Sequence, residues 1–223
     1  MNHTAKSFKG RVRGENRDYA HAVIDERRGL FVVVDGTSKS GSGQLAQDLA
    51  QNIADTYQSR VSLGAEDGTF DLSTQLIRSV LLGLHTPLFS ERSGSASYLI
   101  ALITNGQLII GYEGDCSCGL VDTDERIDWI TSPHCLANWQ RNRSHPELAR
   151  DPARNKISRS FRAGRTPDPE FVTRAATPGQ RLILATDGFW AELSEARQAE
   201  ALRAPEMVIT DVDDDVTWVD VHL

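Results

Sequence analysis

The apolar positions of the chain fall into blocks of two different periods. Residues 31–36 read FVVVDG, four apolar residues with no polar alternation, as expected of a strand covered on both faces. Leu45, Leu49, Ile53 and Tyr57 then recur every four residues and predict an amphipathic helix over 43–61. Leu76, Val80, Leu84 and Leu88 repeat that spacing and predict a second helix over 70–89, with Asp71 or Ser73 as candidate caps. Residues 94–121 read as an apolar run, an Asn105-Gly106 turn and another apolar run, which is a hairpin signature. Shorter strands are expected at 126–131, in RLILATDG up to Asp187-Gly188 and at 216–223, with a helix at 194–203. Residues 133–165 are polar, basic and poor in strand signal, and read as a surface insert with short helices. Strands and helices come in blocks, not in regular alternation, so the expected class is α+β. No repeat, low-complexity tract or linker divides the chain, and residues 1–223 read as a single domain.

Charge narrows the partners. A formal net charge of −7 argues against a nucleic-acid-binding surface, although bound cations would let an acidic protein handle phosphate. No apolar run approaches the ~18 residues of a membrane span, and the first residues lack the apolar centre of a signal peptide. Cys116, Cys118 and Cys135 show no zinc-type pairing, and reduced thiols in a cytoplasm are the simplest expectation.

The candidate chemistry lies where strands end. Asp35-Gly36 closes the first apolar strand, and Asp187-Gly188 closes RLILATDG in the same way. Asp115 follows the hairpin, Asp214 and Asp215 precede the last strand, and Asp18 precedes a strand-like segment. Singly, each is a reasonable turn or cap residue. Gathered at one sheet edge, they would repel unless protonated or bridged by a cation, and oxygen-only ligands favour hard ions such as Mg²⁺ and Mn²⁺.

These segments occur in a familiar order. RGENRDY, VVVDG, GSASYLIALI with GYEGDCS, DPARNKISRSFRAG, PGQRLILATDGFWAELS and DDVTWVDV together resemble the metal-dependent Ser/Thr protein phosphatases, the protein phosphatase 2C-like family, over nearly the whole chain. The resemblance implies two packed, mostly antiparallel β-sheets flanked by helices, a four-layer αββα sandwich with a dimetal site at one end. It implies two Mn²⁺ or Mg²⁺ ions and hydrolysis of phosphoserine or phosphothreonine in proteins, by in-line attack of a water bridging the metals. A phosphoprotein, such as a kinase-regulated one, would be the partner. By position, Asp35 would bridge both ions and Gly36 would offer its carbonyl, while Asp187 and Asp214 would bind the second ion. Asp18 would hold metal-bound water or stand behind the direct ligands, Asp115 matches a carboxylate for a third ion, and Arg13 would grip the substrate phosphate. Bidentate guanidinium–phosphate pairing suits that last role.

The chain also departs from the pattern. Arg17 stands where relatives carry an acidic residue or Gln, TSKSGSG lacks the usual His, and Ala191 replaces a metal-binding Asp, with Glu192 beside it. A non-catalytic relative that binds a phosphoprotein is therefore an alternative. A second is a thiolate phosphatase, because Cys135 and Arg141 have the spacing of the cysteine-dependent signature, although no glycine lies between them to form a phosphate cradle.

Overall fold

The unbroken apolar run at 31–34 is explained by what packs on its two sides. In the computed structural model, which describes residues 1–26, 28–204 and 206–223, two sheets lie face to face. One orders β1 (Asn2–Phe8), β11 (Val216–His222), β10 (Arg181–Ala185), β6 (Ser117–Val121) and β7 (Ile127–Trp129). The other orders β2 (Asp18–Ile24), β3 (Arg28–Gly36), β4 (Ser95–Thr104), β5 (Gln107–Glu113) and β9 (Glu170–Ala175), with the short β8 (Phe161–Arg162) beside β4. The pairings are antiparallel throughout.

Alternation along β3 sorts its side chains. Phe31 and Val33 point between the sheets, where they meet Leu99, Leu108, Ile110, Leu182, Leu184, Val219 and Val221. Leu30, Val32 and Val34 point outward, against the buried faces of α1 (Ser42–Ser62) and α2 (Phe70–Glu91). The same parity places Asp35 on the intersheet side, at the end of the strand. The outer face of the first sheet packs Ile183, Val216 and Trp218 against Phe189, Leu193 and Leu202, from α4 (Asp187–Trp190) and the region of α5 (Glu195–Arg203). The layers are therefore helix, sheet, sheet, helix, as the resemblance implied.

Local chemistry sets the boundaries. The Asn105-Gly106 turn takes positive φ at both residues (47° and 72°), the twist that a two-residue hairpin needs. The cap of α2 is Thr69, which accepts from the Leu72 amide at 3.3 Å, and neither Asp71 nor Ser73 takes that place. Residues 133–165 do contain short helical pieces, including α3 (His145–Ala149) and a 3-10 turn at Pro152–Asn155. Yet the segment is not confined to the surface, since Cys135 and Leu148 pack with Trp190, and His134 and His145 are buried. Two edge strands, β1 and β9, carried no signal in the hydrophobic pattern; their residues are largely exposed and polar.

Candidate metal centre

Strand register brings the acidic residues together. Asp18 sits opposite Asp35 across β2 and β3, and Asp35 sits opposite Ser97 across β3 and β4. At the same end, β5 runs out through Gly114 to Asp115, and β10 runs through Thr186 to Asp187 at the start of α4. One carboxylate oxygen from each of Asp35, Asp115 and Asp187 lies within 4.8 Å of the others.

Each carboxylate is fixed differently. Ser97 Oγ donates to Asp115 Oδ1 at 2.7 Å, and the Trp190 indole N–H donates to the Asp115 carbonyl at 2.9 Å. Gly114, at φ 109°, makes this possible, because a Cβ there would run into the Ser97 side chain. Asp187 Oδ2 accepts from Arg154 Nη1 at 2.7 Å, while Arg154 Nη2 lies 3.7 Å from Glu192 Oε1. Asp18 accepts from Thr186 Oγ1 at 2.7 Å. Asp35 accepts no side-chain hydrogen bond from any described residue.

The electrostatics follow from crowding of like charges. Burial, then the charges of Asp18 and Asp187, push the Asp35 carboxyl well above the usual range. Asp187 is raised by burial and by Asp115 and Asp214, against the opposing charge of Arg154. Burial raises Asp115 as well, opposed by the Ser97 hydrogen bond. Asp18 is pushed up to about 8, first by burial and then by Asp215 and Asp214, although the Thr186 hydrogen bond opposes the shift. Neighbouring carboxylates in this condition need protons or a cation. A donor set made only of oxygens, with no His or Cys among the three, fits a hard divalent ion.

Two expected roles turn out to be joined. Asp214 lies outside the three-carboxylate group, and its Oδ1 accepts from Arg13 Nε at 2.7 Å. Arg13 Nη1 reaches Ser38 Oγ at 3.3 Å, so the residue anticipated as a phosphate clamp is half-buried on an aspartate partner. Asp215 fastens the same loop, accepting from the Gly10 and Arg17 amides at 2.8 and 2.9 Å. Gly36 backs onto this loop, its amide donating to the Arg17 carbonyl at 3.0 Å, and a Cβ there would come within 2.6 Å of the Ser42 carbonyl oxygen of α1. Arg154 was assigned no role from sequence, although it lies inside the DPARN segment that carries part of the resemblance.

No protein-family model matches the chain. It is 26% identical over 216 residues to the serine/threonine protein phosphatase PstP of Mycobacterium tuberculosis, an alignment covering 93% of this chain and 40% of that protein. The chain thus spans well under half the length of its curated relative. The structure of the S. agalactiae serine/threonine phosphatase superposes with a TM-score of 0.78 at 16% identity, covering 100% of this chain and 99% of that one. The catalytic domain of PstP in complex with two manganese ions gives 0.69 at 20% identity, covering 98% and 96%. The chain has the fold of the PPM serine/threonine phosphatases.

Within that PPM fold, the departures noted in sequence acquire positions. Arg17 turns to Glu15 at 3.4 Å and to the Thr37 carbonyl at 3.4 Å, not to the carboxylate cluster. Ala191 caps the end of α4, and Glu192 beside it is near Arg154 and accepts from the Asp213 and Asp214 amides. The thiolate alternative is not supported. Cys135 is buried, and burial raises its thiol instead of stabilising a thiolate. Arg141 is committed to Glu170 at 2.8 Å and to Tyr112 Oη at 3.0 Å. Among the described residues, no helix is long and apolar enough to cross a membrane.

Proposed function

We infer that the chain is a Mn²⁺- or Mg²⁺-dependent phosphatase acting on phosphoserine or phosphothreonine in proteins. The observation that carries this reading is the grouping of the Asp35, Asp115 and Asp187 carboxylates at one end of a PPM fold. Asp35, Asp115 and Asp187 would hold the ions, with the Gly36 carbonyl, Asp18 and Asp214 completing the set. Bound there, divalent ions would acidify water and neutralise phosphate charge during in-line displacement.

The chain's own residues prepare the rest. Arg13 stands beside the cluster with its guanidinium oriented by Asp214 and Ser38, ready to take phosphate oxygens in place of the Ser38 contact. Arg154 holds Asp187 in position before cation binding, and adds positive charge where a phosphate would approach. Thr186 Oγ1 donates to the buried Asp18 Oδ2 at 2.7 Å and so fixes that carboxylate for its part in the set. Ser97 and Gly114 fix the Asp115 carboxylate at the mouth of the intersheet space.

The test is hydrolysis of a phosphothreonine peptide and of p-nitrophenyl phosphate by the purified protein, with Mn²⁺, with Mg²⁺ and with excess EDTA. Turnover that requires metal and disappears in EDTA is expected. Activity that survives EDTA but not thiol alkylation would move the chemistry away from these aspartates. Metal binding without turnover of any phosphopeptide would leave a phosphoprotein-binding relative instead.

A further inference from the structure

Gly114 is the last residue before Asp115, and it has no neighbour in the sheet. The pairing of β4 with β5 ends at Tyr98 and Glu113, and that of β5 with β9 ends at Tyr112 and Glu170. One residue further on, the buried Gly114 must find other partners for its amide and carbonyl. Both come from His134. The His134 amide donates to the Gly114 carbonyl at 2.8 Å, and its ring Nδ1 accepts from the Gly114 amide at 3.1 Å. His134 thus takes the place of a neighbouring strand, with its side chain making the bond that a strand carbonyl would make.

The ring is locked in that role. An amide only donates, so Nδ1 carries no hydrogen and the proton sits on Nε2. From there Nε2 donates to Glu170 Oε2 at 3.1 Å, and Glu170 is itself held by Tyr112 Oη at 2.8 Å and by Arg141 Nη2 at 2.9 and 2.8 Å. Arg159 Nη1, at 3.4 Å from the same nitrogen, is the more distant neighbour. Tyr112 also stacks on the imidazole, with ring centres 5.0 Å apart and planes 25° from parallel. A carboxylate behind an imidazole is the arrangement that orients histidines on metal ions. Here the imidazole holds the backbone next to a candidate ligand.

A buried histidine with two polar partners is ordinary in itself. What sets His134 apart is where its bonds fall. Asp115 is held at its carboxylate by Ser97 and at its carbonyl by Trp190, and His134 fixes the residue through which the chain enters it. Gly114 turns the chain at φ 109° without a sheet bond to hold it, so a shift of Gly114 swings the Asp115 carboxylate relative to Asp35 and Asp187. We propose that His134 is a positioning residue of the metal centre, which by accepting from the Gly114 amide sets the placement of Asp115 beside Asp35 and Asp187. This role rests on the metal-centre reading above, because it takes Asp115 to be a ligand.

Two substitutions separate the halves of the ring. Asparagine places its Oδ1 near the position of Nδ1, so it can still accept from Gly114 while losing Glu170. Glutamine reaches the position of Nε2, so it keeps Glu170 while losing Gly114. Mn²⁺ affinity is measured by calorimetry for the wild type, His134→Asn, His134→Gln and Asp115→Asn, and for each His134 variant combined with Asp115→Asn. Thermal unfolding in EDTA establishes that each protein is folded, and His134→Leu, which fills the space without an acceptor, stands in for His134→Gln if that variant is not. His134→Asn is expected to bind within about threefold of the wild type, and His134→Gln about tenfold more weakly, the order found for groups that orient metal ligands. With Asp115→Asn present, the two His134 variants should bind alike. Equal affinity of the two variants while Asp115 is intact, or a difference that persists without it, overturns the proposal. A weakened Asp115→Asn beside an unaffected His134→Gln rejects the role of His134 alone. A wild type that binds no Mn²⁺, or an Asp115→Asn protein that binds it as the wild type does, rejects the metal-centre reading and the role of His134 with it.

Discussion

Removing one ligand should make the metal-free protein more stable, and Asp35→Asn is the sharpest case. Asp35, Asp115 and Asp187 present oxygens within 4.8 Å of one another, and Asp35 has no described hydrogen-bond donor to offset its burial. Two unit charges at that distance repel by about 3 kcal/mol at an effective dielectric of about 20. Asp35 meets two such neighbours. It can escape by taking a proton, which limits the cost near pH 7.5 to about 5 kcal/mol. Solvent at the open edge of Asp35 and the charge of Arg154 both reduce the penalty, leaving a gain of roughly 2–4 kcal/mol for the uncharged, nearly isosteric asparagine. For a chain of 223 residues that corresponds to a rise in melting temperature of about 5–15 °C. The assay is thermal unfolding in EDTA and again in Mn²⁺. The wild type should be stabilised by Mn²⁺, and Asp35→Asn should start higher and gain little. Asp220→Asn is the control, because Asp220 is paired with Arg181 at 2.9 and 2.7 Å; its loss should cost about 2–4 kcal/mol. An Asp35→Asn protein that melts at or below the wild-type temperature in EDTA would refute the reasoning and make Asp35 a structural residue.

Gly188→Ala should displace Asp187, because a Cβ there would overlap the Asp215 carbonyl oxygen. A loss of about 1–3 kcal/mol in urea unfolding is expected, together with weakened Mn²⁺ binding in calorimetry. Arg154→Ala removes the cation on Asp187, so Mn²⁺ affinity should rise by up to about tenfold, read by calorimetry, while stability in EDTA falls. His145 is held neutral, its ring lowered from 6.5 to about 3 by burial. The unfolded chain therefore binds the extra proton first, and the stability this group contributes above pH 6.5 is lost as pH falls toward 3. By pH 5 the wild type should lose about 2 kcal/mol relative to His145→Gln, in urea unfolding compared at pH 5 and 7.5.

The layers were legible because they are written in periodicity. A strand buried on both faces needs an unbroken apolar run, and β3 has one; helices against one sheet need a four-residue apolar spacing, and α1 and α2 have it. Edge strands obey no such rule. β1 pairs with β11 along its length while most of its side chains stay exposed, so NHTAKSF carries no apolar alternation to read. The acidic residues could be picked out because each sits at a strand terminus, but their grouping depends on register. Asp115 joins Asp35 and Asp187, whereas Asp214 is held apart by Arg13. Arg154 illustrates the limit. Nothing in the sequence of DPARN indicates which carboxylate it meets, because its partner lies 33 residues away and is set by how the 3-10 turn docks. The ring cluster of Trp129, His145 and Trp190 was equally hidden, since its members come from three separate elements.

The central claim is that Asp35, Asp115 and Asp187 form a metal centre. Diffraction from crystals grown with Mn²⁺, with data collected at the manganese absorption edge, tests it most directly. The expected result is anomalous density contacting Asp35 and Asp187, and its loss in crystals of Asp35→Asn. Manganese peaks only elsewhere on the molecule, or none at millimolar Mn²⁺, would contradict it.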